Sequence, residues 1–329
     1  MANNFAYSVN AEYKPAEKAY WQGRKSNPDI ENQYWHQEIK LIDAEKQTLY
    51  SGFDIALIGY ACDEGVRRNR GRIGSNDGPK SVRERLAKLP IHFDNKQVAD
   101  VGDIICNNDD MEACQELFAS HIANLINNNV FPIAIGGGHD MSYAHFNGIN
   151  NKMAGSRKNK IGIINFDAHF DLRPVENRAN SGTPFNQILT ENNNASYFAI
   201  GIQQQSNTKE LFEIAKRQSN IDYAINYDCE SSSSELQALK EKLTPFIDNV
   251  DFLYITIDMD GFSSAYAPGV SAPSPLGFTP YFVFKMLTFL FNTKKVISFD
   301  IAELNPALDR DNITANLAAK IIDFAVMSV

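Results

Sequence analysis

Asp167, His169 and Asp171 occupy every second position where the apolar run 161–166 breaks off, in the stretch INFDAHFDLRP. A second run, YITIDMD, ends in Asp258 and Asp260, and a third, VFPIAIGGGHD, ends in His139. On extended backbone, side chains two apart point to one side, so each set can converge. Taken singly, an Asp at a strand end caps the next helix, and a lone buried His is hydrogen-bonded core. Four carboxylates and two imidazoles at three strand ends are not explained that way, because unpaired they would carry a severe burial and repulsion cost. Two divalent cations would neutralise the four negative charges. An oxygen-rich donor set with one His per ion suits Mn2+, with Mg2+, Fe2+ or Co2+ as alternatives, and nothing in it calls for a thiolate-bound structural zinc. Two such ions, about 3.5–4 Å apart, would hold a water between them and lower its pKa toward neutrality, which makes hydroxide for hydrolysis.

Groups of this kind gather at the carboxyl ends of parallel strands, and the rest of the chain supplies the strands. Apolar runs at 53–61, 130–137, 161–166, 196–202, 222–226, 251–258 and 296–303 read as strands. Several are unbroken, as expected when both faces of a sheet are covered. Helical patterns cover 78–89, 111–128, 231–243 and 314–329. Pro79 suits a first turn, the basic residues late in that segment suit the helix dipole, and Ser231–Ser234 offer caps. The alternation predicts an α/β fold with a mostly parallel, doubly wound sheet. Residues 1–50, polar and Asn-rich around Tyr20, Trp21, Tyr34 and Trp35, are expected to form an arm packed on a single catalytic domain spanning 51–329.

The 329 residues are 43% hydrophobic and 22% charged, enough apolar content to bury a sizeable core. A net charge of -9 leaves no electrostatic footprint for nucleic acid or membrane, and it would repel an anionic substrate. Any acidic ligand must therefore be met by locally placed Arg or Lys. Cys62, Cys106, Cys114 and Cys229 are scattered with no CxxC pair and read as buried free thiols in a reducing compartment. The N-terminal stretch lacks a signal-peptide layout, and no apolar run approaches the roughly 20 residues of a membrane helix, so a cytoplasmic location is expected.

The stretches GGGHD, DAHFD and DMD together resemble the ureohydrolase family of arginases and agmatinases, in order and spacing, from about residue 50 to the end. The resemblance implies a three-layer α/β/α sandwich and two Mn2+ ions. It implies that His139 and Asp171 serve one ion, His169 and Asp260 the other, and that Asp167 and Asp258 bridge them. Glu303, in DIAELNP, matches the family carboxylate that grips a cationic amidine or guanidine, and Asp171 would relay a proton to the departing nitrogen. The segments WQGR, YWHQEI, 64–86, DLRP, SGTPFNQI and APGVSAPSPLGF resemble the formimidoylglutamase branch in particular. That branch hydrolyses N-formimidoyl-L-glutamate to L-glutamate and formamide in histidine breakdown. Two departures matter. Phe185 stands near the place of an arginase His that shuttles protons, and Gly261-Phe262-Ser263-Ser264 replaces the Asp-Pro that many agmatinases carry.

An acidic amidine substrate needs a basic patch beside the metals. Arg173, two residues past Asp171, is the first candidate, Arg72 the second and Arg178 a third. Asn69, Ser181, Thr183 and Asn186 are hydrogen-bonding candidates. His36, His92, His121 and His145 read as structural, and Phe170 and Phe185 as pocket wall or core. Within the family, an agmatinase or guanidinobutyrase is the competing reading, but Arg173 would repel its substrate's amine tail. A single-zinc deacetylase-like hydrolase fits two His-Asp sets less well, and a metal-free regulatory relative would have lost ligands, which none of the six positions has. Relatives are often trimers or hexamers, which by analogy allows a homo-oligomer.

Overall fold

The computed structural model describes residues 10–27, 29–46, 52–153 and 159–329. Ten strands form one sheet: β1 (Ala11–Lys14), β2 (Lys40–Leu41), β3 (Ile55–Ala61), β4 (Val98–Cys106), β5 (Phe131–Gly136), β6 (Ile161–Phe166), β7 (Ala195–Ile202), β8 (Ile221–Ile225), β9 (Phe252–Asp258) and β10 (Val296–Ala302). Their spatial order is β1-β4-β3-β5-β10-β9-β6-β7-β8, with β2 alongside β4. Only β1 runs antiparallel. The helices are α1 (Trp35–Glu38), α2 (Glu64–Arg68), α3 (Gly78–Leu86), α4 (Met111–Asn127), α5 (Met141–Met153), α6 (Pro184–Glu191), α7 (Lys209–Arg217), α8 (Ser233–Asp248), α9 (Pro280–Asn292) and α10 (Ile313–Ser328).

Strand residues alternate between two cores. Ile55, Leu57, Ile133 and Ile164 pack with α3, α8, α9 and α10, whereas Ala56, Ile58, Ala134 and Ile163 pack with α4, α5, α6 and α7. This is the three-layer α/β/α sandwich that the resemblance implied. The chain runs from β3 out to β4, returns to β5 on the inner side of β3, winds outward the other way through β6, β7 and β8, and then inserts β9 and β10 between β6 and β5. The carboxyl ends of β5, β10, β9 and β6 therefore lie side by side at the centre, where an open α/β sheet places its ligand crevice.

All seven anticipated strands form, within two residues at either end. Five helices, α2, α5, α6, α7 and α9, went unanticipated, as did the short β1 and β2, and so did β4. Its sequence, VADVGDIIC, breaks the apolar run with Asp100, Gly102 and Asp103. Those two carboxylates are buried and answered by Arg83 of α3, which is 0% exposed. Arg83 donates from Nε and Nη2 to the two oxygens of Asp100, at 2.9 and 2.8 Å, and from Nη1 to Asp103 at 2.5 Å. The basic character of α3 thus serves a buried ion cluster as well as the helix dipole. Gly102, at φ +87°, lets β1 approach: a Cβ there would lie 2.1 Å from the carbonyl oxygen of Lys14.

The N-terminal residues hold to the same cluster. Trp21 Nε1 donates to Asp100 at 2.8 Å, and Trp35 Nε1 donates to Asp323 of α10 at 2.7 Å. Both indoles are buried. Of the expected arm, residues 1–9, 28 and 47–50 lie outside the described residues. Among the described residues, no helix is long and apolar enough to cross a membrane. Removing one partner of a buried ion set costs about 3–5 kcal/mol because the remaining charges stay uncompensated. Arg83→Ala is therefore expected to lower the free energy of unfolding by an amount of that order, measured by circular dichroism as a lower urea midpoint at constant m-value.

Candidate metal centre

The six predicted ligands converge. After β5 the chain turns through Gly137, whose Cβ, were there one, would lie 1.9 Å from the carbonyl oxygen of Cys62. That close approach sets His139 over the sheet. Its Nε2 lies 3.0 Å from Thr256 Oγ1, so with Nε2–H donating to the hydroxyl, Nδ1 keeps its lone pair for a cation. Around Nδ1 stand Asp171 Oδ2 at 3.0 Å, Asp167 Oδ2 at 3.2 Å and Asp258 Oδ2 at 3.3 Å. Alongside, His169 Nδ1 lies 3.2 Å from Asp260 Oδ2 and 3.6 Å from Asp167 Oδ1. Asp167 thus gives one oxygen to each group. Asp258 belongs to the first, and its Oδ1 accepts the N–H of Asp260 at 2.7 Å. In each group the ligand atoms fall within 4.8 Å of one another.

The convergence has a different cause from the expected one. Residues 167–171 do not continue β6 as an extended rake. They leave it as an irregular turn in which Asp167 Oδ1 accepts the N–H of His169 at 2.7 Å and Asp171 sits at φ +49°. Met259–Gly261 is a 3-10 turn. Glu303, just past β10, is at φ +69°, and its Oε1 accepts the N–H of His139 at 2.8 Å. Left-handed backbone at a Glu costs on the order of 1 kcal/mol or more, and it is held only where surroundings over-determine it.

The electrostatics fit two cations. Burial, then repulsion from Asp260 and Asp167, pushes Asp258 well above the carboxylate range. Burial likewise raises Asp171 and Asp260, and it takes Glu303 to about 8. Asp167 goes the other way: burial opposes ionisation, but hydrogen bonds to His139 and His169 hold it low. Burial opposes charge on both imidazoles too, yet the surrounding carboxylates lift them well above their ordinary value. Asp260 Oδ1 is buried and has no hydrogen-bond partner. An all-oxygen and nitrogen set with a spare buried oxygen suits hard or borderline divalent ions.

Above the donors lies a cavity of about 480 Å3, lined by Asn69, Arg70, Arg72, Arg173, Ser181 and Glu303 among others. Arg173 reaches it although its backbone is not extended from Asp171. Its guanidinium donates to Asn69 Oδ1 and lies against Gly182, where a Cβ would clash at 1.9 Å. Asn69 Nδ2 in turn donates to Ser181 Oγ at 3.0 Å. Arg72 lines the cavity, but its Nε and Nη2 donate to the carbonyls of Ser271 and Val270, at 2.9 and 2.8 Å, and hold that loop in place. Thr183 and Asn186 do not line it. The Thr183 hydroxyl is taken up by Asn180 O and Gln187 Oε1, both at 2.9 Å. Arg178 stands outside as well, paired with Glu112 at 3.4 Å. Phe185 and Phe170 are core: Phe185 stacks on Tyr197 at 4.5 Å and meets His139 edge-on. His145 is buried on Asp300 at 2.6 Å, and His121 stacks on Tyr13.

Three residues went unnamed in the sequence. Thr256 orients His139, and Asn165 Nδ2 donates to Asp167 Oδ2 at 3.0 Å. Each is a polar residue two positions before a ligand Asp in an otherwise apolar strand, and that period-two signal could have found them. Arg70, at φ +62°, is exposed on the cavity rim.

An arginase-family model matches residues 53–327, and the chain belongs to the arginase family. A formimidoylglutamase from Clostridium tetani (strain Massachusetts / E88) is 40% identical over 333 residues, 95% of each chain. The crystal structure of a formimidoylglutamase from Bacillus subtilis superposes with a TM-score of 0.79 at 22% identity, covering 93% of this chain and 94% of that one, and it attests the fold. A Trypanosoma cruzi formiminoglutamase, crystallised with two Mn2+ ions, superposes with a TM-score of 0.75 at 26% identity, covering 84% of this chain and 93% of that one.

Two outcomes follow from the site. Removing the hydroxyl that orients His139, by Thr256→Val, is expected to weaken divalent-cation affinity roughly 10- to 100-fold, measured by calorimetric titration. Because Asp171, Asp258, Asp260, Glu303, His139 and His169 all have raised pKa values, the chelated folded chain binds more protons than the unfolded one. Its stability should fall as pH rises, for Glu303 between 4.5 and about 8. Asp167 opposes this with a smaller share of the set. Thermal unfolding across that range should show the fall in chelator and its loss on adding Mn2+.

Proposed function

We propose that the chain is a binuclear-manganese hydrolase that cleaves N-formimidoyl-L-glutamate to L-glutamate and formamide, a step of histidine breakdown in the cytoplasm. The two ions would be held by His139, Asp167, Asp171 and Asp258 on one side and by Asp167, His169, Asp258 and Asp260 on the other. Residues 51–329 act as the catalytic unit, with the preceding segment packed against it. Bound manganese supplies Lewis acidity and brings the pKa of water toward neutrality.

The chain's own groups do the rest. Glu303 has Oε1 fixed by the His139 N–H and faces the cavity, so its carboxylate pairs with the amidinium and orients the planar carbon. Asp171 borders both the donors and the cavity. Its carboxylate accepts the proton of the attacking water and returns it to the departing amino nitrogen. Arg173, with Arg70 and Arg72 on the same rim, receives the two carboxylates of the substrate.

That rim carries the reading. In a chain of net charge -9, three guanidinium groups border the cavity that holds the donor cluster. They match an acidic tail and would repel the amine tail of agmatine. The test is a substrate panel on manganese-loaded protein, with formamide and urea release measured side by side. Formamide from formimidoylglutamate is expected, and urea from agmatine or guanidinobutyrate would refute the assignment. A charge-assisted hydrogen bond contributes about 1.5–3 kcal/mol, so Arg173→Ala should lose roughly 10- to 100-fold in kcat/KM at unchanged manganese content.

A further inference from the structure

Three of the four cysteines, scattered in the sequence, converge beside the metal centre. Cys62 follows β3, Cys106 ends β4 and Cys114 lies in the first turns of α4. In the parallel ladder of β3 and β4, Ala61 pairs with Ile105, so one step further sets Cys62 beside Cys106. The three sulfurs lie within 4.8 Å of one another, and all are free thiols. Cys62 and Cys114 are buried and Cys106 is half-buried. Cys62 and Cys106 also line a cavity of about 370 Å3, separate from the one above the carboxylates, together with Lys14, Arg67 and Lys80.

We propose that Cys62, Cys106 and Cys114 form a further metal site, which takes one thiophilic d10 cation such as Cd2+, Zn2+ or Cu+. A disulfide would use two sulfurs and leave the third convergent thiol without a purpose. A cation about 2.3 Å from each of three sulfurs needs them roughly 4 Å apart, and the three lie within 4.8 Å of one another. The cavity gives the ion an entry path and room for a solvent ligand on the side of Cys106. Of the three, only Cys106 is inclined to ionise: the thiols of Cys114 and Cys62 donate to it and bring its pKa down to about 5, while the bond to Cys106 takes Cys62 up to about 12 and burial pushes Cys114 well up. Binding would displace the remaining thiol protons. Three thiolates and a divalent cation leave one negative charge, in a cavity whose wall carries Lys14, Arg67 and Lys80 together with Asp63, Glu64, Asp77, Asp103 and Asp109. The chain would then sort metals by chemistry, with sulfur taking the soft ion and the carboxylate and imidazole set the hard one.

The site touches the first one through the backbone. The carbonyl of Cys62 accepts the N–H of Gly138 at 2.9 Å, one residue before His139. No sulfur belongs to the carboxylate centre, so sulfur-to-metal charge transfer reports the thiol cluster alone. The experiment is a Cd2+ titration of the manganese-loaded chain, in excess Mn2+ and a phosphine reductant, followed by ultraviolet absorption. A charge-transfer band saturating at one equivalent per chain is expected. It should be lost in Cys106→Ser and Cys114→Ser and kept in Cys229→Ser, with hydrolytic activity reporting that each variant is folded. Because Cys114 is buried, the half-buried Cys106 variant carries the test if the other fails to fold. Absence of the band in the parent, or its persistence in Cys106→Ser, overturns the proposal. A sample that takes up no cadmium but forms a Cys62–Cys106 disulfide in air assigns the cluster to oxidation and overturns it equally.

Discussion

Mutual repulsion among buried carboxylates is the constraint on which the centre of this molecule depends. Asp167, Asp171, Asp258, Asp260 and Glu303 crowd the ends of β6, β9 and β10, and His139 closes the group from β5. No arrangement of these groups is tolerable in a low-dielectric interior without added positive charge. The protein nevertheless works to keep them there. It holds Asp171 and Glu303 in left-handed backbone and brings a glycine turn against Cys62. It also buries Asn165 and Thr256 within mainly apolar strands, two residues before Asp167 and Asp258. Each of these is a local cost that makes sense only if the ligands must be aimed before the ions arrive.

The Arg83 cluster shows what the same physics looks like when the chain supplies its own counterion. Asp100 and Asp103 are as deeply placed as the metal-site carboxylates, yet Arg83 meets both, and Trp21 satisfies a remaining lone pair of Asp100. That network is closed and holds α3, β4 and the N-terminal segment together. The central cluster is open, with Asp260 Oδ1 lacking any partner. Buried charge of one sign, with a spare oxygen and a cavity above it, separates a binding site from a structural ion network. The distinction needs no comparison with other proteins.

What could be read from the sequence divides along the same line. Unbroken apolar runs marked the seven central strands, because strands covered on both faces leave little else to find. The ligands were visible because polar residues of one chemistry recur where those runs end. β4 was hidden because its carboxylates are compensated from a helix some twenty residues away, a pairing that no local pattern carries. α9, PYFVFKMLTFLFN, is rich in aromatics that favour strands as readily as helices, and only packing on the core decides between them. The convergence of Asp167, His169 and Asp171 was anticipated from extended spacing, yet it comes from turns. Likewise, Cys62, Cys106 and Cys114 meet only because β3 and β4 are neighbours, which again follows from the strand order and not from sequence spacing.

The two halves of the active cavity are built differently, and this bears on how the chain tells substrates apart. Metal donors sit in tight turns that leave the central strands, so the sheet sets where they gather and the turns set how they are aimed. The guanidinium rim sits on loops: Arg173 is braced by Asn69 and lies against Gly182, and Arg72 is spent largely on the carbonyls of 270 and 271. Loops can change without disturbing the sheet. On the proposed reading, a substrate's reacting carbon would meet the donor cluster, while its tail would be judged by charge on separately held arms. For a chain with an overall negative field, an acidic tail is attracted only within reach of that rim. On that reading, selection and orientation would come from the same few contacts, because Arg173 and Glu303 line one cavity, and a substrate held by the first would have its opposite end directed at the second and at the carboxylate cluster.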